Sequence, residues 1–423
     1  MLGGILMSID NNKKMSAKEL LSALFDDGAY TELGGKLYSE DNFAEAVAAC
    51  GKVSGQPVYA FAQAEDRCGG AMSVAQANKL KKLYAMALKT GYPIVGFYMN
   101  SSARVLQGNM LLDELGDLLA SSGRLSGVVP QISVVLGNCI SATALLASNA
   151  DFVIMTENAK LSVSDTSDCT GKKKAAVVTA DAKSAVEAVC DLITYLPSNN
   201  LSVAPACEDI AADTATPFDS DSVLKLYEGM GEGAEVSFAR LSGQVVGSVK
   251  TLGKALDCKT CKKIASFVRF CDAFSIPVVT EVNVPDFECL GGAKVLLSAY
   301  AEATTAKISV ITGTAHGVVY LALAGKGSRA DAILALEGAT VSPIKPEAAA
   351  YVALADKLNV PAAEQDKLIA EYIATELSAD NAAKAGYIDD VVDTTALRDK
   401  LIGYMDILSG KRESSLPKKH NTI

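Results

Sequence analysis

The sequence predicts two tandem α/β domains of similar topology. Three observations carry this. An apolar strand, a Gly turn and a helix of small residues occur in that order twice; each copy follows a helix that runs through a Pro into an apolar strand; and a Ser-Gly-Gln hairpin precedes each of those helices. Strands that alternate with helices favour parallel pairing and crossover connections, which is the α/β solution for burying a sheet on both faces.

Taken in order, residues 1–40 read as a helical extension. The N-terminal domain, 41–200, opens on "GKVSGQPVYAFAQ", in which Ser-Gly-Gln separates two alternating apolar runs. "KLKKLYAMALKTGYPIVGFYMN" then places apolar residues at helical spacing, turns at Tyr92-Pro93 and continues as a strand. The Leu and Met spacing in "GNMLLDELGDLLASSG" predicts a long packing helix, and "VVPQISVVLGNCISATALLASNADFVIMTENAKLSVSD" follows as strand (Ile132 to Leu136), Gly137 turn, helix and a strand from near Asp151. Residues 201–221, with Pro205, Pro217 and several Asp and Ser, read as a linker. The C-terminal domain, 222–411, repeats the plan: "ARLSGQVVGSVKT", then "KKIASFVRFCDAFSIPVVTEVN", then "TTAKISVITGTAHGVVYLALAGKGSRADAILALEGATVSPI". Gly137 and Gly313 lie 176 residues apart, and Pro93 and Pro277 lie 184 apart. Residues 412–423 read as a basic, solvated tail.

Composition excludes several functions. With 423 residues, 49% hydrophobic and 21% charged, the chain can bury large cores, and a net charge of −10 argues against nucleic acid, which requires a basic surface. The ten cysteines have no regular spacing, and no signal peptide or membrane span is evident, so the expectation is reduced thiols in the cytoplasm. The CxxC at Cys258 and Cys261 lacks the second pair of a zinc ribbon, so no metal is expected. Of two histidines, His420 lies in the tail, and no GxSxG elbow accompanies His316. P-loop and strand-linked GxGxxG phosphate cradles are absent too.

Several stretches carry a family resemblance in matching order over roughly residues 50–340: "SGQPVYAFAQ", Gly69-Gly70, "GYPIVGFYMNSSARVLQG", "GVVPQISVVLGNC", "YLPSNN", "FARLSGQVVGSV", "FVRFCDAFSIPVVT", "GAKVLLSAYAEATTAKISVIT" and "AHGVVYLAL". The chain resembles the carboxyltransferase family, which includes β subunits of biotin-dependent acyl-CoA carboxylases and α subunits of related decarboxylases such as glutaconyl-CoA decarboxylase. The resemblance implies two crotonase-like (ClpP/crotonase, ββα-superhelix) domains per chain. It also implies a homo-oligomer built from dimers, up to a hexamer, with the active site between the N-domain of one protomer and the C-domain of another. The reaction it implies moves a carboxyl group between biotin and the α-carbon of a coenzyme A thioester.

That chemistry generates a thioester enolate and an anionic ureido oxygen, both of which preorganised backbone N–H groups at a helix mouth stabilise without His, metal or protein nucleophile. The strand-turn-helix segments would supply one oxyanion hole each, 139–143 on the CoA side and 315–319 on the biotin side. The family carries Gly-Gly where this chain has Ser141-Ala142, and Gly-Gly-Ala where it has Gly317-Val318-Val319, so Ser141, Ala142, Val318 and Val319 are the expected catalytic positions. Expected substrate-binding positions are Gly69 and Gly70, either against the thioester or in a tight turn; Ser102 and Arg104, with Arg104 shaping the site or forming a structural ion pair; His316, touching ligand or satisfied in its turn; Gly317; and Leu321, lining an acyl pocket or packing its helix. The family's long loop before Gly292-Ala293-Lys294 is reduced to "DFECLG". The nearest approach to an Ala-Met-Lys-Met attachment motif, "YAMALK", lacks the second Met, so biotin is expected on a separate carrier protein, with a biotin carboxylase or a membrane decarboxylase subunit as further partner. Two alternatives stand beside this one: a crotonase-like acyl-CoA enzyme that does not use biotin, and a non-catalytic homologue that supports complex assembly.

Overall fold

The computed structural model describes residues 15–39, 42–100, 103–164, 171–212, 216–414 and Pro417. The chain divides into two compact units, residues 1–172 with 178–193, and residues 173–177 with 194–423.

The first unit begins with α1 (Ala17–Leu24), β1 (Tyr30–Leu33), the short pair β2 (Tyr38–Ser39) and β3 (Asn42–Phe43), and the hairpin β4 (Ala46–Val53) and β5 (Gln56–Gln63). It continues through α2 (Val74–Thr90), β6 (Ile94–Asn100), α3 (Gly108–Leu125), β7 (Gln131–Ile140), α4 (Ser141–Ser148), β8 (Phe152–Thr156), β9 (Lys160–Ser162), β10 (Val177–Thr179) and α5 (Ala182–Ile193). The sheet order is β1-β4-β5-β6-β7-β8-β10, antiparallel up to β5 and parallel from β5 to β8, with β9 beside the carboxyl end of β7.

The second unit runs β11 (Leu224–Leu226), β12 (Ala234–Leu241), β13 (Gln244–Thr251), α6 (Cys258–Ala273), β14 (Val278–Val282), α7 (Leu290–Glu302), β15 (Lys307–Ile311), β16 (Thr314–His316) and α8 (Gly317–Val319). After these come β17 (Ala332–Leu336), β18 (Thr340–Ser342), α9 (Pro346–Ala353), α10 (Ala362–Glu376), α11 (Ala379–Lys384), β19 (Asp390–Val392) and α12 (Leu397–Leu408). Its sheet is ordered β11-β12-β13-β14-β15-β17-β19 and is parallel from β13 onward, while β16 and β18 form a separate parallel pair. Apolar residues of β12 to β17, such as Leu241, Val279, Ile308 and Leu334, pack with Leu397 and Leu401 of α12 in one buried cluster.

The repeat extends to individual hydrogen bonds. In the hairpins, Ser54 (φ 49°) with Gly55 (φ 80°) and Ser242 (φ 52°) with Gly243 (φ 75°) take the left-handed conformation that a two-residue turn between twisted strands requires. A carboxylate holds each turn: Asp26 accepts from the Ser54 and Gly55 amides at 2.9 and 2.8 Å, and Asp219 from the Ser242 and Gly243 amides at 2.9 and 2.8 Å. Ser73 and Asp257 cap α2 and α6 by accepting from the Gln76 and Thr260 amides. One turn into each helix a buried lysine reaches back under the hairpin, Lys79 Nζ to Ala46 O at 2.8 Å and Lys263 Nζ to Ala234 O at 2.6 Å. Burial lowers the pKa of both. Finally, Asp151 accepts from the Gln131 amide and Asp331 from the Lys307 amide, each at 2.8 Å, fixing the first residue of β7 and of β15.

Three expectations are revised. Residues 1–40 are not a helical extension throughout: α1 buries Leu20, Leu21 and Leu24, worth about 1.5–3 kcal/mol each, and Tyr30–Leu33 joins the sheet as an antiparallel edge on β4. Residues 1–14 lie outside the described residues. Residues 201–221 are not a free linker, because their polar groups are tied to the second unit: the Cys207 amide donates to Gly243 O, Arg240 Nη1 to Pro205 O, and Arg398 bonds Asp209 and Asp219. The thiols are not all free, since Cys258 and Cys289 form a disulfide with Cα atoms 6.0 Å apart. At the C-terminal end, Glu413 pairs with Arg329 and Lys411. Among the described residues no helix is long and apolar enough to cross a membrane.

Desolvation pushes the half-buried Asp151 carboxyl up to about 7, against the hydrogen bonds that favour its charged form. A raised folded-state pKa means that the stability it contributes is fully present below the unfolded value and is lost as pH rises through the folded one. Urea titrations from pH 4.5 to 7.5 should therefore show the wild type losing on the order of 1–3 kcal/mol relative to Asp151→Asn, which keeps an acceptor for Gln131. Parallel pH profiles would contradict the assignment.

Candidate functional site

At the carboxyl edge of each sheet the chain passes from strand to helix through one left-handed residue. Ile140 (φ −132°, ψ 155°) and His316 (φ −135°, ψ 156°) have nearly the same extended backbone. The next residue, Ser141 or Gly317, takes φ 62° or 50°. For Gly317 this conformation is free of strain; for Ser141 it stores about 1–3 kcal/mol. Neither helix mouth is closed by a side chain, whereas α1, α2 and α6 are capped by Ser16, Ser73 and Asp257. The N–H groups of the first helical turn have no intrahelical acceptor, so these two mouths present donors and the positive end of the helix dipole. Beyond α8 the helix widens into a π-turn, Tyr320–Ala324.

The correspondence of Ser141 with Gly317 sets the register of the pair. The residues matching Ser141-Ala142 are Gly317-Val318, and Val319 matches Thr143; the side chains of Val319 and Thr143 point into the core, 1% and 2% exposed. Val318 is 54% exposed at the mouth. Gly137 lies within β7 and not in the expected turn, because the strand runs on to Ile140, whereas Gly313 sits in the bend between β15 and β16; neither can be replaced cheaply, since a Cβ would lie 2.1 Å from Met99 O and 2.4 Å from Asn283 Oδ1.

In the first unit, Cys68, Gly69 and Gly70 are three successive left-handed residues (φ 49°, 65° and 75°). The Gly69 and Gly70 amides donate within the loop, to Glu65 O and Arg67 O, so these glycines shape a tight turn and offer no donor outward. Arg104 forms the ion pair. Its Nη1 lies 3.1 Å from Oε1 of Glu45, whose side chain is fully buried. The other Glu45 oxygen accepts from Ser73 Oγ at 2.5 Å, so Arg104 is linked through Glu45 to the cap of α2. Gln107 completes the seam by accepting from the Val74 amide. Ser102 lies outside the described residues.

In the second unit the same framing role falls to Asn283, which was not singled out from the sequence. Its amide donates to Thr251 Oγ1, its carbonyl accepts from the Gly253 amide, and its Oδ1 accepts from the Thr314 amide at 3.2 Å. It thereby locks the loops after β13 and β14 to the strand that ends at His316. The repeat held the signal, because "FYMN" and "TEVN" end alike. His316 is 8% exposed, and its Nδ1 has no hydrogen-bond partner among the described residues. Beside Gly317 opens a cavity of about 500 Å³, lined by Tyr320, Leu321, Val341 and Pro343 with Ser342 and Asn381 as polar groups. Tyr320 is fixed by its hydroxyl donating to Tyr387 O at 2.6 Å.

The duplicated fold that carries these two helix mouths is matched by known proteins. The model of the carboxyl transferase domain family covers residues 10–172 and 169–423. The chain belongs to that family. It is 30% identical to the methylmalonyl-CoA decarboxylase subunit alpha of Propionigenium modestum over 100% of this chain and 96% of that one. It is also 30% identical to the methylmalonyl-CoA carboxyltransferase 12S subunit of Propionibacterium freudenreichii subsp. shermanii, over 97% and 91%. Among solved structures, transcarboxylase 12S, described as a hexamer with hydrolysed methylmalonyl-coenzyme A bound, superposes with a TM-score of 0.89 at 28% identity, covering 97% of this chain and 92% of that one. The two units are accordingly the tandem crotonase-like domains of a carboxyl transferase.

Within this carboxyl transferase, the Arg104–Glu45 pair predicts a stability phenotype. Arg104→Met should cost about 2–4 kcal/mol in urea unfolding, because it strands a buried carboxylate. Glu45→Gln in the same chain should recover at least about 1 kcal/mol of that loss. An Arg104→Met chain as stable as wild type would return Arg104 to a ligand-binding role.

Proposed function

We propose that this chain is the carboxyltransferase component of a biotin-dependent acyl-CoA carboxylase or decarboxylase, transferring a carboxyl group between biotin and the α-carbon of an acyl-CoA. The observation that carries the proposal is the pair of uncapped mouths at Ser141 and Gly317. In this reading the Ser141 and Ala142 amides hold the thioester oxygen as it gains enolate charge, which lowers the barrier to making or breaking the carboxyl bond at the α-carbon. The Gly317 and Val318 amides hold a second oxygen, which bears the same single negative charge in the other half of the transfer.

Biotin, carried on a separate protein, supplies the ureido nitrogen that bears the carboxyl group. The second unit suits it: the cavity beside Gly317 is apolar on Tyr320, Leu321, Val341 and Pro343, fitting a fused ring and its alkyl arm, with Ser342 and Asn381 available as polar contacts. Leu321, 54% exposed, sits on that wall. The chain's own residues do three things: they orient the two oxygens, exclude water from the apolar cleft, and hold the junction backbone rigid through Asn283 and the Asp151 and Asp331 carboxylates. Partners in this proposal are a biotin carrier protein and a biotin carboxylase or membrane decarboxylase subunit, on a homo-oligomer of dimers. Exposed apolar side chains on α3 and α4, such as Met110, Leu112 and Leu145, are available for that assembly.

Label exchange from methylmalonyl-CoA or malonyl-CoA into free biotin, measured beside acyl-CoA binding, tests the reading. Wild type should bind acyl-CoA and exchange label. Ser141→Gly should retain activity, since glycine takes φ 62° without strain, whereas Ser141→Val should lose about 100-fold or more in turnover, the scale of one misplaced oxyanion donor. Binding with decarboxylation but no biotin exchange would favour the biotin-independent acyl-CoA enzyme; no acyl-CoA binding would leave the non-catalytic homologue.

A further inference from the structure

The CxxC motif of α6 takes no part in the two helix mouths, and its first cysteine is half of the disulfide. Cys258 is the exposed first residue of α6, and Cys289, half-buried, is the N-cap of the thirteen-residue α7. Cys289 Sγ accepts from the Gly292 amide at 3.1 Å. The segment that the bond tethers is the short connection between β14 and α7. It is stitched to the β13–α6 loop by Leu256 donating to Asp286 O and Glu288 donating to Leu256 O, and to the second junction by Val284 donating to Thr314 O and Thr314 donating to Asn283 Oδ1. The disulfide therefore closes the outer end of a frame whose inner end is the strand carrying His316 into Gly317.

We propose that Cys258–Cys289 is a thiol-exchange site that a protein or small-molecule dithiol reduces in the folded chain, and that its opening loosens the β14–α7 connection and the strand leading to Gly317. The chemistry is directional. The reductant's thiolate attacks the sulfur of Cys258, the more exposed residue of the pair, forming a mixed disulfide; the Cys258–Cys289 bond breaks, and its electron pair leaves on Cys289. That leaving thiolate is stabilised where it stands, by the Gly292 N–H and the positive end of α7, before water protonates it. The reductant's second thiol then displaces Cys258. Two electrons and two protons pass from the dithiol to the protein, leaving two cysteine thiols and an oxidised reductant. Cys261, fully buried and pushed up to about 12 by that burial, stays a thiol and takes no part, which separates this site from a redox-active CxxC pair.

This site is independent of the carboxyl-transfer reading, and its test needs no substrate. Chain purified without reductant is alkylated and peptide-mapped, then treated under native conditions with dithiothreitol or a thioredoxin-type dithiol while amide exchange is followed. Cys258 and Cys289 should be recovered linked and should become labelled within minutes of native reduction, with Cys261 protected. Exchange across residues 287–292 and 314–317 should rise about tenfold or more, with β12 and β13 unchanged. Cys289→Ser keeps a capping oxygen without the bond, so its exchange should match the reduced wild type and ignore dithiol. Recovery of Cys258 and Cys289 as free thiols, reduction only after denaturation, or unchanged exchange on reduction would each overturn the proposal.

Discussion

The structure turns on one backbone constraint: a single residue with positive φ between an extended strand and a helix that no side chain caps. Reversing the chain there turns the strand's direction into the helix axis within one residue and leaves the first amides of the helix facing the sheet's carboxyl edge. Any residue kept out of the left-handed region would misdirect those amides, and any Ser, Thr or Asp in the cap position would satisfy them internally. Glycine meets the first demand at Gly317 without strain. Ser141 meets it at a cost of about 1–3 kcal/mol that the surrounding hydrogen bonds must offset.

Those hydrogen bonds explain why the fold is duplicated down to single carboxylates. Asp151 and Asp331 fix where β7 and β15 begin. The Asp26 and Asp219 clamps hold the hairpins that seed each sheet, and Lys79 and Lys263 join each hairpin to the helix that follows. The two units differ where loops frame the junctions. The first uses a buried Glu45 bridging Ser73 and Arg104, and the second uses an Asn283 amide with a disulfide beyond it. The framing thus differs between the units while the junction backbone is nearly the same.

The architecture was legible in the sequence because it is carried by short-range pattern: helical spacing, Pro after each helix, and an apolar strand leading into a helix of small residues in both halves. Local signals misled where a segment's fate depends on distant partners. Tyr30–Leu33 has two exposed residues between two half-buried ones and shows no alternation, so only its pairing with β4 reveals it as a strand. Arg104 and Glu45 lie 59 residues apart, and the cysteines read as reduced thiols because the partner of Cys258 is 31 residues away, with no regular spacing to announce it. In "AHGVV", composition could not say which residue takes the positive φ; the backbone places it at Gly317 and turns the Val319 side chain inward. The first junction has no glycine, yet Ser141 holds the conformation that glycine would.

The central claim, that these mouths bind charge developing on oxygen, is tested most directly by comparing an acyl-CoA with an analogue already carrying that charge. A nitronate analogue of propionyl-CoA, planar and anionic at the position of the thioester enolate, should bind about 100-fold or more tightly than propionyl-CoA itself. Equal affinity for the two, with acyl-CoA binding intact, would show that the Ser141 mouth does not recognise the enolate and would contradict the account.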